Sequence, residues 1–522
     1  MLNVCQMGRT FIIGCVIFCL IVGVGLSALV AANSSSTDTA EIDTVLVEST
    51  GEQTVIVRLS ERPNESIQAT TQEGQISAMK SHAAKTQSAF ENFAEGNPHV
   101  EIEREFWITN ALAVTVDTDN VPLDRLGMVD NVEQIHENSQ VEIQRTPAVP
   151  DRDTKRNTVD SVGDNIGTTY GLEKIGTTET WDGFDNRGDG VRVAVLDTGI
   201  DTTHPDLELT ADGWAEFDTY GGRIDSEPYD SETHGTHVSG TVAGGNESGT
   251  AIGVAPDVEL MHGLVLPGGS GYFTQITAGM QWAVENDADV ISMSLGGSNR
   301  SDEYIDHVRN AQAQGAVVVT SSGNDGEGTS SSPGDVYDSF SVGATDDSDL
   351  VADFSSGENV SRNEWSDPPS EWPAMYTVPD VVAPGSGIYS STPDGGYGYS
   401  SGTSMAAPHV SGGIALMLSN GNDELTPAEI QQQFVSTAVD IGEAETRQGA
   451  GRINIYNATL KHSRETLSPT IMPIEANVSV PTDVFVEANH PIQQYYWAFG
   501  NGTTVTTNDA TIERTFQAKG SE

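Results

Sequence analysis

Apolar and polar residues follow each other in two different periods along the middle of the chain, which predicts strands and helices in turn. The apolar run over residues 191–196 is typical of a strand buried on both faces of a parallel sheet, and Asp197 follows it directly. The residues after His234, and those over 410–418, have the apolar spacing of buried helices. We therefore expect an α/β fold with a mainly parallel central sheet.

The region before residue 150 has a different order of elements. Short alternating segments there predict strands, and a longer segment with helical spacing predicts an amphipathic helix. The expected elements are a strand over 55–59, a helix over 75–94, strands over 100–108 and 111–116, a helix over 122–128 and a strand over 132–143. This βαββαβ order is that of a ferredoxin-like α+β domain, which we place over residues 51–144.

An apolar run over residues 10–32 follows the single Arg9 and ends in small residues, which is typical of an export signal cleaved near Ala32. A run of this length can also span a bilayer, so a membrane anchor is the alternative. All three cysteines lie before residue 20, so cleavage leaves a chain without thiols. Linkers are expected over 33–50 and 145–167, and the composition changes again over 461–522.

The formal net charge of −52 at pH 7 restricts the partners and the habitat. Phosphate groups would be repelled, which argues against a nucleic-acid partner. Repulsion among so many carboxylates destabilises a compact state unless concentrated salt screens it, and the screening length falls to about 3 Å at 1 M. The charge therefore indicates a protein of a saline habitat, and an acidic secreted protein of an ordinary habitat is the alternative.

Three short segments carry an acid, a base and a nucleophile, in that order along the chain. Asp197 is expected at the carboxyl end of a strand, where open α/β sheets hold their sites, and His234 is expected at the start of a helix. Ser404 is expected at another helix start, where unpaired N–H groups favour a developing oxyanion. Because a serine hydroxyl needs a base, and the base needs a carboxylate, the three residues form a candidate catalytic set.

The three segments, together with residues 294–297 and 322–326, resemble the subtilisin-like serine peptidases (subtilases), and the similarity runs over 170–456. The resemblance implies a three-layer α/β catalytic domain over 168–460 that hydrolyses polypeptides through an acyl-enzyme. It implies Ser404 as nucleophile, His234 as base and Asp197 as the group that orients the base. The implied oxyanion donor is Asn324, and the implied substrate-binding residues are Ser294, Leu295 and Gly296.

The resemblance also implies roles for the other regions. The ferredoxin-like domain is similar to the inhibitory propeptide that assists folding and blocks the site until the zymogen cuts itself. Asp206 and the loop with Glu247 match a structural calcium site of the family, with a solvated acidic loop as the alternative. The tail over 461–522 resembles part of a PKD-like β-sandwich. The whole chain is similar to secreted halophilic members of the family.

Two other classes stay open, each with its own discriminating observation. The first is a catalytically silent binding protein that keeps the fold, which absence of turnover in a folded sample would favour. The second is an esterase of the α/β-hydrolase class, in which the serine comes first in the order, whereas Ser404 comes last. The remaining acidic segments, 225–232 and 346–349, are expected to be solvent-exposed surface.

Overall fold

The computed structural model describes residues 40–47, 49–60, 72–143, 167–297, 300–421 and 425–466, and five short strands between 472 and 515. The expected signal or anchor segment 1–32 lies outside the described residues, as do the first part of the 33–50 linker and the 145–167 linker up to residue 166. Within the described ranges, no helix is long and apolar enough to cross a membrane.

The N-terminal domain has the predicted βαββαβ order, with one short strand added at the start and the predicted last strand divided in two. Its elements are β1 (Glu41–Ile42), β2 (Glu52–Leu59), α1 (Gln72–Glu95), β3 (Val100–Phe106), β4 (Ala111–Asp117), α2 (Leu123–Leu126), β5 (Val132–Glu137) and β6 (Gln140–Glu142). The first five strands form one sheet in the order β1-β5-β2-β4-β3. Helix α1 packs on this sheet, and its Phe90 is fully buried there.

The second domain begins with parallel strands and helices in alternation. Its first elements are β7 (Gly167–Thr168), α3 (Tyr170–Lys174), α4 (Thr177–Phe184), β8 (Arg192–Asp197), β9 (Trp214–Phe217), β10 (Arg223–Ile224), α5 (His234–Ala243), β11 (Thr250–Ala251), β12 (Glu259–Leu264), β13 (Ser270–Tyr272), α6 (Phe273–Glu285) and β14 (Val290–Met293). Then follow α7 (Glu303–Ala313), β15 (Val317–Ser321), β16 (Phe340–Thr345), β17 (Glu358–Ser361), β18 (Met375–Val378), β19 (Val381–Pro384), β20 (Ile388–Thr392), β21 (Gly396–Ser400), α8 (Thr403–Leu418), α9 (Pro427–Thr437), α10 (Glu445–Gln448) and α11 (Ile455–Thr466).

The central sheet has eight strands in the order β10-β9-β12-β8-β14-β15-β16-β19, and every pair except β10 with β9 is parallel. Alternate residues of β8 face opposite sides of the sheet. Val193 and Val195 join an apolar cluster with residues of α5 and α8, whereas Ala194 and Leu196 join one with residues of α6. The mainly parallel sheet between two helical layers confirms the predicted fold.

The N-terminal domain lies on helices α6 and α7 of the second domain. The indole N–H of Trp107 donates to Glu285 Oε1 at 2.7 Å, and the backbone N–H of Trp107 donates to Gln281 Oε1 at 3.0 Å. Basic side chains of the N-terminal domain also face acidic side chains across this contact. These pairs are Arg58 with Asp306, Lys80 with Glu285 and His136 with Glu303. Charge and an aromatic anchor therefore orient the N-terminal domain on the sheet's helical layer.

The tail contributes five short strands in two small sheets. The strands are β22 (Met472–Pro473), β23 (Pro481–Phe485), β24 (Tyr495–Ala498), β25 (Thr504–Thr507) and β26 (Thr511–Thr515). The two sheets have the orders β22-β23-β26 and β24-β25, with antiparallel pairing throughout. Antiparallel strands are what a β-sandwich would require, and the likeness to a PKD module stays a prediction.

Candidate active site

Asp197 is the last residue of β8, and its side chain is fully buried. Its Oδ1 accepts a hydrogen bond from the backbone N–H of Thr198 at 2.8 Å and another from the Nδ1 of His234 at 2.8 Å. Its Oδ2 has no hydrogen-bond partner among the described residues. With Nδ1 hydrogen-bonded to Asp197, the neutral imidazole has Nε2 as its acceptor nitrogen, which is the tautomer that a general base requires.

His234 is the first residue of α5, and the glycine after it explains how the helix reaches Asp197. A Cβ on Gly235 would lie 2.1 Å from the carbonyl oxygen of Gly199, so only glycine lets the helix start pack against the turn after β8. The hydroxyl of Thr198 then accepts from the backbone N–H of Gly235 at 2.9 Å, which satisfies a helix N-terminal donor. The turn after the acid therefore caps the helix that carries the base.

Charge around the imidazole favours its protonated form. Burial on its own lowers the pKa of His234, but the neighbouring Asp197 carboxylate, its hydrogen bond, and the charges of Asp230 and Glu232 leave the pKa above its ordinary value. The side chain is only 12% exposed, so these charges act through poorly solvated surroundings. His234 Nε2 is buried and has no hydrogen-bond partner among the described residues.

The raised pKa of His234 predicts the position of the acid limb of the pH profile. Because the base must be neutral to accept the serine proton, we expect kcat/KM to fall as the pH drops through a value above the ordinary histidine pKa of about 6.5. Glu232→Gln removes an anion that raises the pKa, so it should move the limb to lower pH. Glu445→Gln, an exposed site on α10, is the matched control and should leave the limb in place. An acid limb that lies at the same pH in Glu232→Gln as in the unchanged protein would contradict this electrostatic account.

Ser404 is the second residue of α8, and it is 1% exposed. Its hydroxyl donates to the carbonyl oxygen of Ser294 at 3.3 Å, and the Ser294 hydroxyl donates to the carbonyl oxygen of Ser404 at 2.8 Å. Ser404 is therefore not hydrogen-bonded to His234 Nε2 in this conformation, although α5 and α8 pack against each other. A rotation about its Cα–Cβ bond would turn the hydroxyl away from Ser294, as the reaction requires.

Asn324 follows β15 and lies beside the start of α8. Its Oδ1 accepts from the backbone N–H of Thr403 at 2.9 Å and from the Thr403 hydroxyl at 3.0 Å. Since both bonds hold the oxygen end of the amide, the NH₂ end is directed away from Thr403. An amide donor fixed in this way, next to the N–H groups of a helix start, is suited to stabilise an oxyanion.

The predicted substrate-binding residues form one side of a cleft that already contains a strand. Strand β6 of the N-terminal domain pairs antiparallel with β13, and Glu142 on its other edge forms an antiparallel bridge with Gly296. Leu295 is fully buried beneath this edge. Two residues before Gly296, the backbone carbonyl oxygen of Ser294 accepts the hydrogen bond from the Ser404 hydroxyl. The cleft thus holds the extended strand β6 between β13 on one side and Gly296 on the other.

The predicted calcium ligands are brought together only in part. The Oδ1 of Asp206 accepts from the backbone N–H of Glu247 at 2.8 Å, and its Oδ2 accepts from the hydroxyl of Tyr397 at 2.7 Å. The Glu247 residue is exposed. Among the described residues, no group of three His, Cys, Asp or Glu side chains could hold a metal ion. Both carboxylate oxygens of Asp206 thus accept hydrogen bonds from the protein, and the assignment of Asp206 and Glu247 as calcium ligands stays a prediction.

Asp230 lies beside the candidate site, although the sequence predicts that residues 225–232 are exposed surface. Its Oδ1 accepts from the Thr198 hydroxyl at 2.8 Å, and its Oδ2 accepts from the backbone N–H of Thr236 at 2.8 Å. It thus ties the turn after Asp197 to the start of α5. The expectation was wrong at this position because contacts with the turn after β8 and with α5, not the local sequence, determine the burial of Asp230.

Asp349 is another exception to the prediction that the acidic segments are exposed surface. It lies in the acidic segment 346–349, yet it forms ion pairs with Lys174 at 3.3 Å and with Arg452 at 2.5 Å. A carboxylate that joins the start and the end of the second domain is structural. No local sequence pattern predicts that Asp349 pairs with Lys174 or with Arg452.

His262, on β12, also lies beside the candidate site, and no motif in the sequence predicts it. The backbone N–H of Gly199 donates to its Nε2 at 3.1 Å, and the Ser239 hydroxyl lies 3.0 Å from its Nδ1. Burial lowers the pKa of His262 to about 4, so the ring is neutral and can accept from Gly199. His262 therefore holds the turn that follows Asp197 in place through the hydrogen bond from Gly199.

Comparison with known proteins agrees with this geometry. A model of the subtilase family (peptidase S8) matches residues 188–451, which include all three candidate catalytic residues. The chain belongs to the subtilase family. This subtilase is 36% identical over 293 residues to the major intracellular serine protease of Bacillus subtilis, covering 54% of this chain and 86% of that relative.

Two further relatives show how much of each protein is shared. The subtilase is 39% identical over 279 residues to subtilisin E of Bacillus subtilis, covering 52% of this chain and 66% of the relative. It is 38% identical over 275 residues to alkaline elastase YaB of Bacillus sp., covering 52% and 65%. The match supports a serine-type peptidase, with an α/β catalytic domain of the subtilisin kind.

Proposed function

We propose that this subtilase is a secreted endopeptidase, made as a zymogen that cuts itself, with Asp197, His234 and Ser404 as its catalytic residues. The observation that carries the proposal is the extended strand β6 in the cleft that leads to Ser404. A cleft that binds a peptide by backbone hydrogen bonds on both edges suits polypeptides in general. The 2.8 Å bond between Asp197 and His234 supports the assignment of the base.

The mechanism follows from the positions of the donors. Ser404 Oγ attacks the carbonyl carbon of the scissile bond while His234 Nε2 takes its proton, and Asp197 stabilises the resulting imidazolium. The backbone N–H of Ser404 and the Asn324 amide donate to the oxyanion. His234 then gives the proton to the leaving amine, and a water molecule, deprotonated by the same imidazole, releases the acid and regenerates the serine.

The proposal is tested by expressing the full chain in molar potassium chloride and following casein hydrolysis and chain mass together. We expect hydrolysis to appear as the chain loses its N-terminal domain. A folded sample that never hydrolyses casein would favour the alternative, a catalytically silent binding protein of the same fold. The variant that distinguishes the endopeptidase from the silent binding protein most sharply is Ser404→Ala.

We also propose that the protein needs concentrated salt, as its net charge of −52 indicates. Screening should relieve repulsion among carboxylates, and each kcal/mol gained raises Tm by about 2–4 °C in a domain of this size. We expect Tm to rise by ~10 °C between about 0.1 and 3 M KCl. An uncharged osmolyte at equal osmolarity is the control, since it cannot screen charge. A Tm that is flat or falls with KCl would contradict the halophilic assignment.

Secretion and calcium binding are parts of the proposal that rest on the sequence resemblance. Secretion rests on the apolar segment 10–32, which lies outside the described residues, and one relative is named an intracellular protease. Retention through an uncleaved segment is the alternative. Calcium would be held by Asp206 together with carbonyl oxygens of the loop over 245–251, and it would serve to stabilise that loop. The tail is proposed to be part of a PKD-like module.

A further inference from the structure

His262 lies between the turn after β8 and helix α5, and its side chain is fully buried. On one side, the backbone N–H of Gly199, two residues after Asp197, donates to its Nε2 at 3.1 Å. On the other side, its Nδ1 lies 3.0 Å from the hydroxyl oxygen of Ser239, on the helix that begins with His234. One imidazole therefore contacts both elements whose spacing determines the bond between the acid and the base.

The two hydrogen bonds fix the protonation of the His262 ring. A backbone N–H can only donate, so Nε2 must be unprotonated to accept from Gly199. In a neutral imidazole the proton is then on Nδ1, which donates to the Ser239 hydroxyl oxygen. Burial lowers the pKa of His262 to about 4, against the opposing effect of the Asp197 carboxylate. The ring therefore stays neutral over the pH range in which a histidine base accepts protons.

Close packing leaves the His262 ring little freedom to move. A Cβ on Gly235 would lie 3.0 Å from its Cε1, so the ring contacts the residue that follows the base. The indole of Trp214 stacks on the ring, with centroids 6.2 Å apart and planes at 25°. A smaller side chain at position 262 would leave a space against the start of α5. It would also leave the buried N–H of Gly199 without its acceptor, which is unfavourable.

We propose that His262 is a positioning residue for the peptidase reaction: it holds Asp197 at the distance from His234 that proton transfer requires. This inference rests on the proposed function. Because Asp197 is the last residue of β8, a shift of Gly199 displaces its carboxylate from the imidazole. His262 itself is fully buried and does not touch substrate, so its contribution falls on kcat.

The first test compares two amides at position 262. The side chain of His262→Gln reaches as far as Nε2 and can accept from Gly199, whereas that of His262→Asn reaches only as far as Nδ1 and Ser239. We expect His262→Asn to lower kcat by about 10–100-fold with KM within about twofold, and His262→Gln to keep kcat within about threefold. Initial rates over a range of peptide concentrations, referred to the concentration of active sites, measure both parameters.

The pH profile separates a positioning role from a merely structural one. A displaced Asp197 carboxylate stabilises the protonated imidazole less, so the acid limb of kcat/KM should move to lower pH in His262→Asn. In His262→Gln the limb should stay in place. The control is His307→Asn, which removes another buried neutral histidine, one that bonds to Thr277 on α6. It should lower Tm and leave both kcat and the limb unchanged.

The outcomes distinguish this inference from the proposed function. An active enzyme in which both amides at position 262 keep the kcat and the acid limb of the unchanged protein would overturn the positioning role alone. Equal loss of kcat in both amides would overturn it too, since acceptance from Gly199 would then have no effect. If His262→Asn does not fold, Ser239→Ala replaces it. That variant should lower kcat by about threefold or more, and an unchanged kcat would overturn the role. A folded, unchanged protein without peptide hydrolysis refutes the proposed function and the inference with it.

Discussion

Replacing Ser404 with alanine is expected to reduce peptide hydrolysis by about 10⁴–10⁶-fold and to leave the chain uncut. The variant loses the hydroxyl oxygen that we propose forms the acyl-enzyme, while the proposed hydrogen-bond donors to the oxyanion remain. The loss should fall almost entirely on kcat, because the strand-pairing edge at Gly296 is unchanged. Casein hydrolysis, a peptide assay and the mass of the chain over time measure all three expectations.

A matched control comes from the other end of the same helix. Ser419→Ala changes a half-buried serine at the end of α8 and should keep full activity and self-cleavage. Circular dichroism and Tm establish that both variants are folded. Substantial peptide hydrolysis by folded Ser404→Ala would mean that another residue is the nucleophile, and the assignment of the site would be wrong.

The second large effect is expected for Asn324→Ala, which should lower kcat by about 10²–10³-fold and leave KM within about twofold. The amide oxygen of Asn324 is held by Thr403, so its NH₂ group is already oriented before any substrate arrives. It contributes most when negative charge develops on the carbonyl oxygen, and little to binding of the ground state. Initial rates over a range of peptide concentrations separate the two parameters.

Asn457→Ala on α11 controls for the loss of an asparagine, since that residue is exposed and distant in the sequence from the site. It should leave both parameters unchanged. An Asn324→Ala enzyme whose KM rises while kcat stays constant would show that the amide binds substrate uniformly. Such a result would remove Asn324 from the oxyanion site.

Much of the fold could be predicted because its signals are local. The apolar run before Asp197 predicts a strand, and the apolar spacings after His234 and Ser404 predict helices. In the structure, α5 begins at His234 and α8 begins one residue before Ser404. The strands and helices of the N-terminal domain are predicted in the same way, from alternation and helical spacing of apolar residues. Each of these properties depends on neighbours within a few residues.

The rest of the site depends on contacts between residues far apart in sequence. Asp230 joins two elements through Thr198 and Thr236, and no spacing in the chain announces those partners. The second edge of the cleft, Ser270–Tyr272, is only three residues long, too short for an alternation pattern. The hydrogen bond from Ser404 to Ser294 depends on a rotamer, which sequence does not specify.

The central claim is that Ser404 is a serine activated by His234, and covalent labelling tests it most directly. The processed enzyme is treated with phenylmethanesulfonyl fluoride, and the modified residue is located by peptide mass mapping while activity is followed. We predict one label per chain, on Ser404, with loss of activity in proportion to labelling and with slower labelling below the pKa of His234. An enzyme that stays active while Ser404 is fully labelled, or that is inactivated by a label elsewhere, would contradict the account.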